Sequence, residues 1–78
     1  MRKNRIMKYK KLDLHGIRHG DVDRLVENFI LMNQNETPLE IVCGNSQPMI
    51  SLVNSVLKRI NCENYEMVQY GVLMVRKV

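Results

Sequence analysis

Twice in this chain a short apolar segment runs into a glycine turn and then into an amphipathic helical stretch. That repetition restricts the fold more than any other feature. In the first unit Lys10 to Leu14 alternates. Leu12 and Leu14 lie on one side and Lys11, Asp13 and then His15 on the other, the pattern of a half-buried strand. His15-Gly16 ends it. From about His19 to Gln34, the residues Val22, Leu25, Val26, Phe29 and Ile30 recur at i, i+3, i+4, i+7 and i+8 and form one buried helical stripe. Asp21 and Asp23 fall in the first turn, where negative charge suits the helix dipole. Pro38 closes the unit by restricting Thr37 to extended geometry.

The second unit repeats the scheme. Leu39 to Cys43 is apolar and β-branched at its centre, so it reads as a buried strand. Gly44-Asn45 turns the chain and Ser46 is a natural N-cap. Pro48 sits in the first turn, where it has no intrahelical N–H bond to lose. The helix runs to about Asn61 on a stripe of Met49, Ile50, Val53, Val56, Leu57 and Ile60, with Lys58 and Arg59 in its last turn. Tyr65 to Gln69 and Val72 to Lys77 then form a hairpin turning near Gly71. Helical crossovers of this length imply parallel pairing of the strands they join. The expected fold is a β-α-β-α-β-β two-layer α/β sandwich with a mixed four-stranded sheet. Both helices lie on one face, and the other face is open or used for contacts.

Seventy-eight residues allow one small domain, near the lower limit of what a hydrophobic core sustains alone. No apolar run approaches a membrane span, and the charged start Met1-Arg2-Lys3-Asn4-Arg5 lacks the apolar stretch of a signal peptide. Cys43 and Cys62 have no paired spacing and read as free thiols of a cytoplasmic protein. The net charge of +4 is uneven. Residues 1 to 11 hold six basic side chains and no acid, so residues 1–9 read as a basic arm on a domain spanning 10–78. Such an arm either meets a polyanion, most often nucleic acid, or is a solvated tail.

Loops that leave the carboxyl ends of parallel strands are where open α/β sheets bind ligands. Here they are His15 to Gly20 and Gly44 to Gln47, each leading into a helix N-terminus receptive to phosphate. Asp13 and His15, two apart, share a sheet face beside that place. The carboxylate either orients the imidazole for acid–base chemistry or accepts hydrogen bonds in the loop and pins it. His15 and His19 are not expected to hold a structural metal, because Gly16 interrupts any shared helical face. Cys43, at a buried strand end, reads as a small hydrophobe. Met49, Met67 and Met74 read as core or sheet-face packing. Tyr65 and Tyr70 either stack on bases or flank the hairpin half-buried. Arg76 and Lys77 either extend a basic surface or blunt an edge strand.

At Leu12-Asp13-Leu14-His15-Gly16 the chain resembles the Smr (small MutS-related) domain family, which opens with an LDLHG-like strand and loop and an amphipathic helix. In that family a second strand ends in a glycine loop, here Cys43-Gly44-Asn45-Ser46, before a second helix. The match spans about residues 11 to 78. It looks most like a compact stand-alone branch among phage and bacterial proteins, with His19 and the Gly44, Ser46, Met49 spacing matching that branch. The resemblance implies a fold like the C-terminal domain of translation initiation factor three. It also implies DNA or RNA binding, and endonuclease activity in some members. Carried onto this chain, Asp13 and His15 match the functional pair; in the enzymatic reading below, His19 is a second proton carrier or phosphate ligand. Gly44 matches the first loop glycine. The family's usual GKG or GRG is replaced by Gly44-Asn45-Ser46, which removes a basic residue and a glycine.

Two functions follow as expectations. The first is a nucleic-acid-binding domain with endonuclease activity. Phosphate would be held by Arg18, Gly44, Asn45, Ser46 and Gln47, aided by Lys8, Lys10 and Lys11, and a divalent metal for cleavage is left open. The second is a non-catalytic module that binds nucleic acid or a protein partner. No membrane partner is expected.

Overall fold

The computed structural model describes residues 10–78, so the arm and Lys8 lie outside it. Strand β1 (Lys10–Asp13) leads to helix α1 (His19–Met32) and a 3-10 turn at Gln34–Glu36. Strand β2 (Leu39–Val42), helix α2 (Gln47–Arg59) and the hairpin β3 (Asn64–Gln69) and β4 (Val72–Lys77) follow. The sheet order is β1-β2-β4-β3. β1 and β2 are parallel, and β4 is antiparallel to both β2 and β3. β1, β2 and β3 therefore point the same way, and β4 is inserted between β2 and β3. Both crossovers step in one direction across the sheet, which puts α1 and α2 together on one face, where they pack on each other. The chain is thus a small α/β domain with a mixed four-stranded sheet and two helices.

The core lies between the layers. Val22, Val26 and Ile30 of α1, and Met49, Ile50, Val53, Val56 and Leu57 of α2, meet Leu39, Ile41, Cys43, Leu73 and Val75 of the sheet. Leu25 and Phe29 border the α1 stripe and are only half-buried, as is Ile60 beyond α2. The helix-free face is mixed: Val42, Val72 and Met74 are half-buried beside Lys11, Glu40 and the Arg76–Glu66 ion pair. Met67 is 42% exposed on strand β3, so of its two expected roles it is not a core residue. The Met67/Gln69 register shift leaves Val68 unpaired with β4 and turns the edge locally outward.

Helix ends account for the segment bounds. α1 stops at Met32, short of Gln34, because the Asn33 side-chain amide donates to the Phe29 carbonyl at 2.7 Å and takes an acceptor the next turn would need. α2 begins as its sequence requires: Ser46 is the N-cap and its Oγ accepts the Met49 N–H at 3.3 Å. It ends in a Schellman motif. Asn61 takes the left-handed conformation (φ 62°). The Cys62 N–H donates to Leu57 O at 2.8 Å, and the Asn61 N–H to Lys58 O at 3.1 Å. Arg59 does more than complement the dipole of α2. It reaches across to Asp23, and to Glu27 at 2.8 Å, and ties the outer faces of the two helices. Only Asp21 lies in the first turn of α1, so Asp23 acts instead as an inter-helix partner. Among the described residues no helix is long and apolar enough to cross a membrane.

Candidate functional site

Because β1, β2 and β3 are parallel, their carboxyl ends share one edge of the sheet. Three connections meet there: the β1–α1 loop with His15, the β2–α2 loop with Gly44, and the tip of the β3–β4 hairpin at Tyr70-Gly71. Two contacts lock them together. The Cys43 N–H donates to Gly71 O at 2.6 Å. Gly71 also backs directly onto the Gly44 peptide: a methyl built on its Cα would lie 2.9 Å from the Gly44 carbonyl carbon and closer still to its oxygen. Both glycines have left-handed φ, +83° at Gly71 and +75° at Gly44. On its other side Gly44 faces His15, whose Cδ2 lies 3.9 Å from where a Gly44 Cβ would stand. The exposed imidazole of His15 therefore borders the loop that opens α2.

The donors of that loop are unequally free. The Ser46 N–H is already committed to Gly44 O at 2.8 Å, the Met49 N–H goes to Ser46 Oγ, and Pro48 has none. The N–H groups of Gly44, Asn45 and Gln47 find no acceptor among the described residues. Ser46 Oγ, occupied as an acceptor, keeps its own proton to donate. Such a set, at the positive end of α2, favours an anion.

Asp13 takes the second of its two roles. Its Oδ1 accepts the main-chain N–H of His15 at 2.9 Å, an Asx-type bond two residues ahead that pins the loop. The His15 imidazole has no hydrogen-bond partner among the described residues. His19 and Arg18 are exposed at the start of α1, and Arg18 occupies the N-cap position without a side-chain capping bond. Neither has a side-chain hydrogen bond or ion pair among the described residues. Lys10 and Lys11 are not brought to this edge. Lys10 starts β1, about 10 Å before Asp13 at roughly 3.3 Å per residue, at the end of the strand away from His15. It pairs with Glu36 at 3.6 Å, while Lys11 stands next to Glu40 in register.

One rim residue carries more weight here than its sequence context indicated. Tyr70 is 56% exposed at the hairpin tip, and its hydroxyl donates to Gln47 Oε1 at 3.4 Å. Tyr65, by contrast, is half-buried against the core. Burial pushes the Cys43 thiol up to about 11 and raises that of Cys62, where a backbone hydrogen bond from Asn64 opposes the rise. Both thiols are thus kept protonated and unreactive near neutral pH. No group of three metal-ligating His, Cys, Asp or Glu side chains converges among the described residues.

The described residues carry eight basic and eight acidic side chains, so the formal charge of +4 comes from Arg2, Lys3, Arg5 and Lys8. Comparison of the chain with protein-family models, with curated proteins and with solved structures finds no match.

Proposed function

We propose that this chain is a Smr-like nucleic-acid-binding domain, related in fold to the C-terminal domain of translation initiation factor three, that cleaves a phosphodiester at the carboxyl edge of its sheet. The observation that carries the reading is the meeting of His15 with the unpaired donors of the Gly44 loop. A phosphate oxygen would lie on the N–H groups of Asn45 and Gln47 and on the Ser46 hydroxyl. His15 beside it would accept a proton from the attacking water or give one to the leaving oxygen. Asp13 acts here by fixing the loop rather than by orienting the ring. Arg18 and His19 line the approach from α1 as further phosphate ligands.

Two observations favour the non-catalytic alternative, a module that binds nucleic acid or a protein without chemistry. Asp13 is spent on main chain, and the Asn45-Ser46 loop lacks the basic residue of the usual family sequence. A panel of single-stranded, duplex and branched DNA and RNA, assayed for binding and for cleavage with and without divalent metal, separates the two. Turnover supports the enzyme, and retention without turnover supports the module. Failure to retain any nucleic acid at low salt contradicts both nucleic-acid readings.

The position of Lys10 makes a separate prediction. The arm joins the domain at Lys10, at the edge opposite the site, and on this reading adds affinity through phosphate contacts. Deleting residues 1–9 removes four basic side chains. If all four neutralise phosphates of duplex DNA, the slope of log K against log salt falls by about 3.6 in magnitude. Sequence preference should stay as it was, since phosphate contacts do not read bases. An unchanged slope would show that the arm does not touch the polymer.

A further inference from the structure

The rim of the site presents an aromatic ring that the phosphate chemistry leaves unused. Tyr70 is held at both ends. Its hydroxyl is tied to Gln47 in the first turn of α2, and Gln47 Nε2 in turn lies 3.5 Å from Ser51 Oγ. At its base the chain is fixed by buried Gly71, which packs on Gly44 and accepts the Cys43 N–H. The ring nevertheless remains 56% exposed, and Met67 and Val68 beside it in sequence are 42% and 46% exposed. An aromatic side chain fixed in place but open to solvent gives up little freedom on binding, which suits it to a flat, apolar partner.

We propose that Tyr70 is a base-stacking platform. On this inference, which rests on the nucleic-acid reading above, the site takes nucleic acid in which a base next to the bound phosphate is unpaired. The physical reason is coverage. Within a continuous duplex both faces of every base are occupied by its neighbours, so a ring can stack only on a base that has left the helix or never joined one. Gln47 links the two halves of such a site. Its main-chain N–H is free for the phosphate, and its side-chain oxygen holds the ring that would receive the base. The substrates selected are therefore single strands, loops and ends of DNA or RNA, in preference to unbroken duplex.

The test compares wild-type protein, Tyr70→Leu and Tyr70→Phe for binding to oligothymidylate, to oligouridylate and to a covalently closed relaxed duplex circle. Tyr70→Leu should weaken single-strand binding by about 5- to 150-fold, the loss of one base–aromatic stack. Tyr70→Phe, which keeps the ring but loses its tie to Gln47, should bind single strands more weakly than wild type and clearly more tightly than Tyr70→Leu. Duplex affinity and the salt slope should hold in both variants. The chain has no tryptophan, so Tyr70→Trp supplies a single indole whose emission should be quenched by oligothymidylate. Equal losses on single strand and duplex, or indole emission unmoved at saturation, would overturn the stacking role. If wild type binds nucleic acid and Tyr70→Leu binds single strands equally well, stacking alone fails. If wild type binds none of the three polymers, the nucleic-acid reading fails and takes this one with it.

Discussion

Replacing Gly71 by alanine is expected to destabilise the domain by about 2–5 kcal/mol. Left-handed backbone strain supplies about 1–2 kcal/mol of that and overpacking about 1–3 kcal/mol. The loss is a large fraction of the ~5–15 kcal/mol that holds an ordinary domain together. Two causes add because Gly71 needs both freedoms of glycine. Its φ is +83°, and the space a methyl would occupy is filled by the Gly44 peptide rather than by a side chain able to swing aside. Gly16 is the control. Its φ is +81°, but nothing lies within 4 Å of a Cβ built there, so Gly16→Ala should cost only the strain. Chemical denaturation of the three proteins checks this, and equal midpoints for Gly71→Ala and Gly16→Ala would refute the close contact. Because the Gly44 peptide is what must yield, Gly71→Ala should also disturb the anion loop next to His15.

Removing the imidazole is expected to have the largest effect on chemistry. His15→Ala should slow phosphodiester cleavage by about 10²–10⁴-fold, the range for a lost general acid or base, and leave affinity nearly intact. The side chain is exposed and outside the core, so the variant should fold as wild type does. Asp13 sharpens the comparison. An asparagine there can still accept the His15 N–H through its amide oxygen, so Asp13→Asn should cleave at close to the wild-type rate. Asp13→Ala should cost about 0.5–1.5 kcal/mol of stability through the lost bond. A collapse of cleavage in Asp13→Asn would mean that the carboxylate's charge serves the imidazole. Equal cleavage by wild type and His15→Ala would remove His15 from the mechanism.

The elements were legible in the sequence because each is specified locally. The α2 stripe, its Ser46 cap and Pro48 agree on where that helix begins, and the hairpin strands around Gly71 are found where the pattern places them, with β3 starting one residue earlier at Asn64. What was not legible depends on pairs distant in the chain. The seat of Gly71 on Gly44 exists only because β4 pairs antiparallel with β2. The Arg59 clamp joins residues 32 and 36 positions apart, and reads in sequence only as a favourable charge in a last turn. Lys10 and Lys11 looked like site residues by their basic character, yet strand direction carries them to the far edge. The Asp13 bond is different. An aspartate two residues before a turn N–H is a local Asx pattern, so its pinning role was readable alongside the more chemical one. Tyr70 could be recognised as a rim residue only once the hairpin tip was placed against α2.

The central claim is that a nucleic-acid phosphate lies at the start of α2, and Ser46 tests it most directly. Ser46→Asp keeps an oxygen to accept the Met49 N–H and adds a charge that suits the helix dipole, so stability should be held or improved. Ser46→Asn caps equally well without charge. Affinity for a fixed oligonucleotide at one salt concentration, measured for wild type and both variants, should fall about fivefold or more in Ser46→Asp alone. Like charges a few ångströms apart cost ~1 kcal/mol in bulk water and up to ~4 kcal/mol near a protein surface. If folded Ser46→Asp binds as tightly as wild type and Ser46→Asn, the phosphate is not at this helix, and the site built around His15 is contradicted.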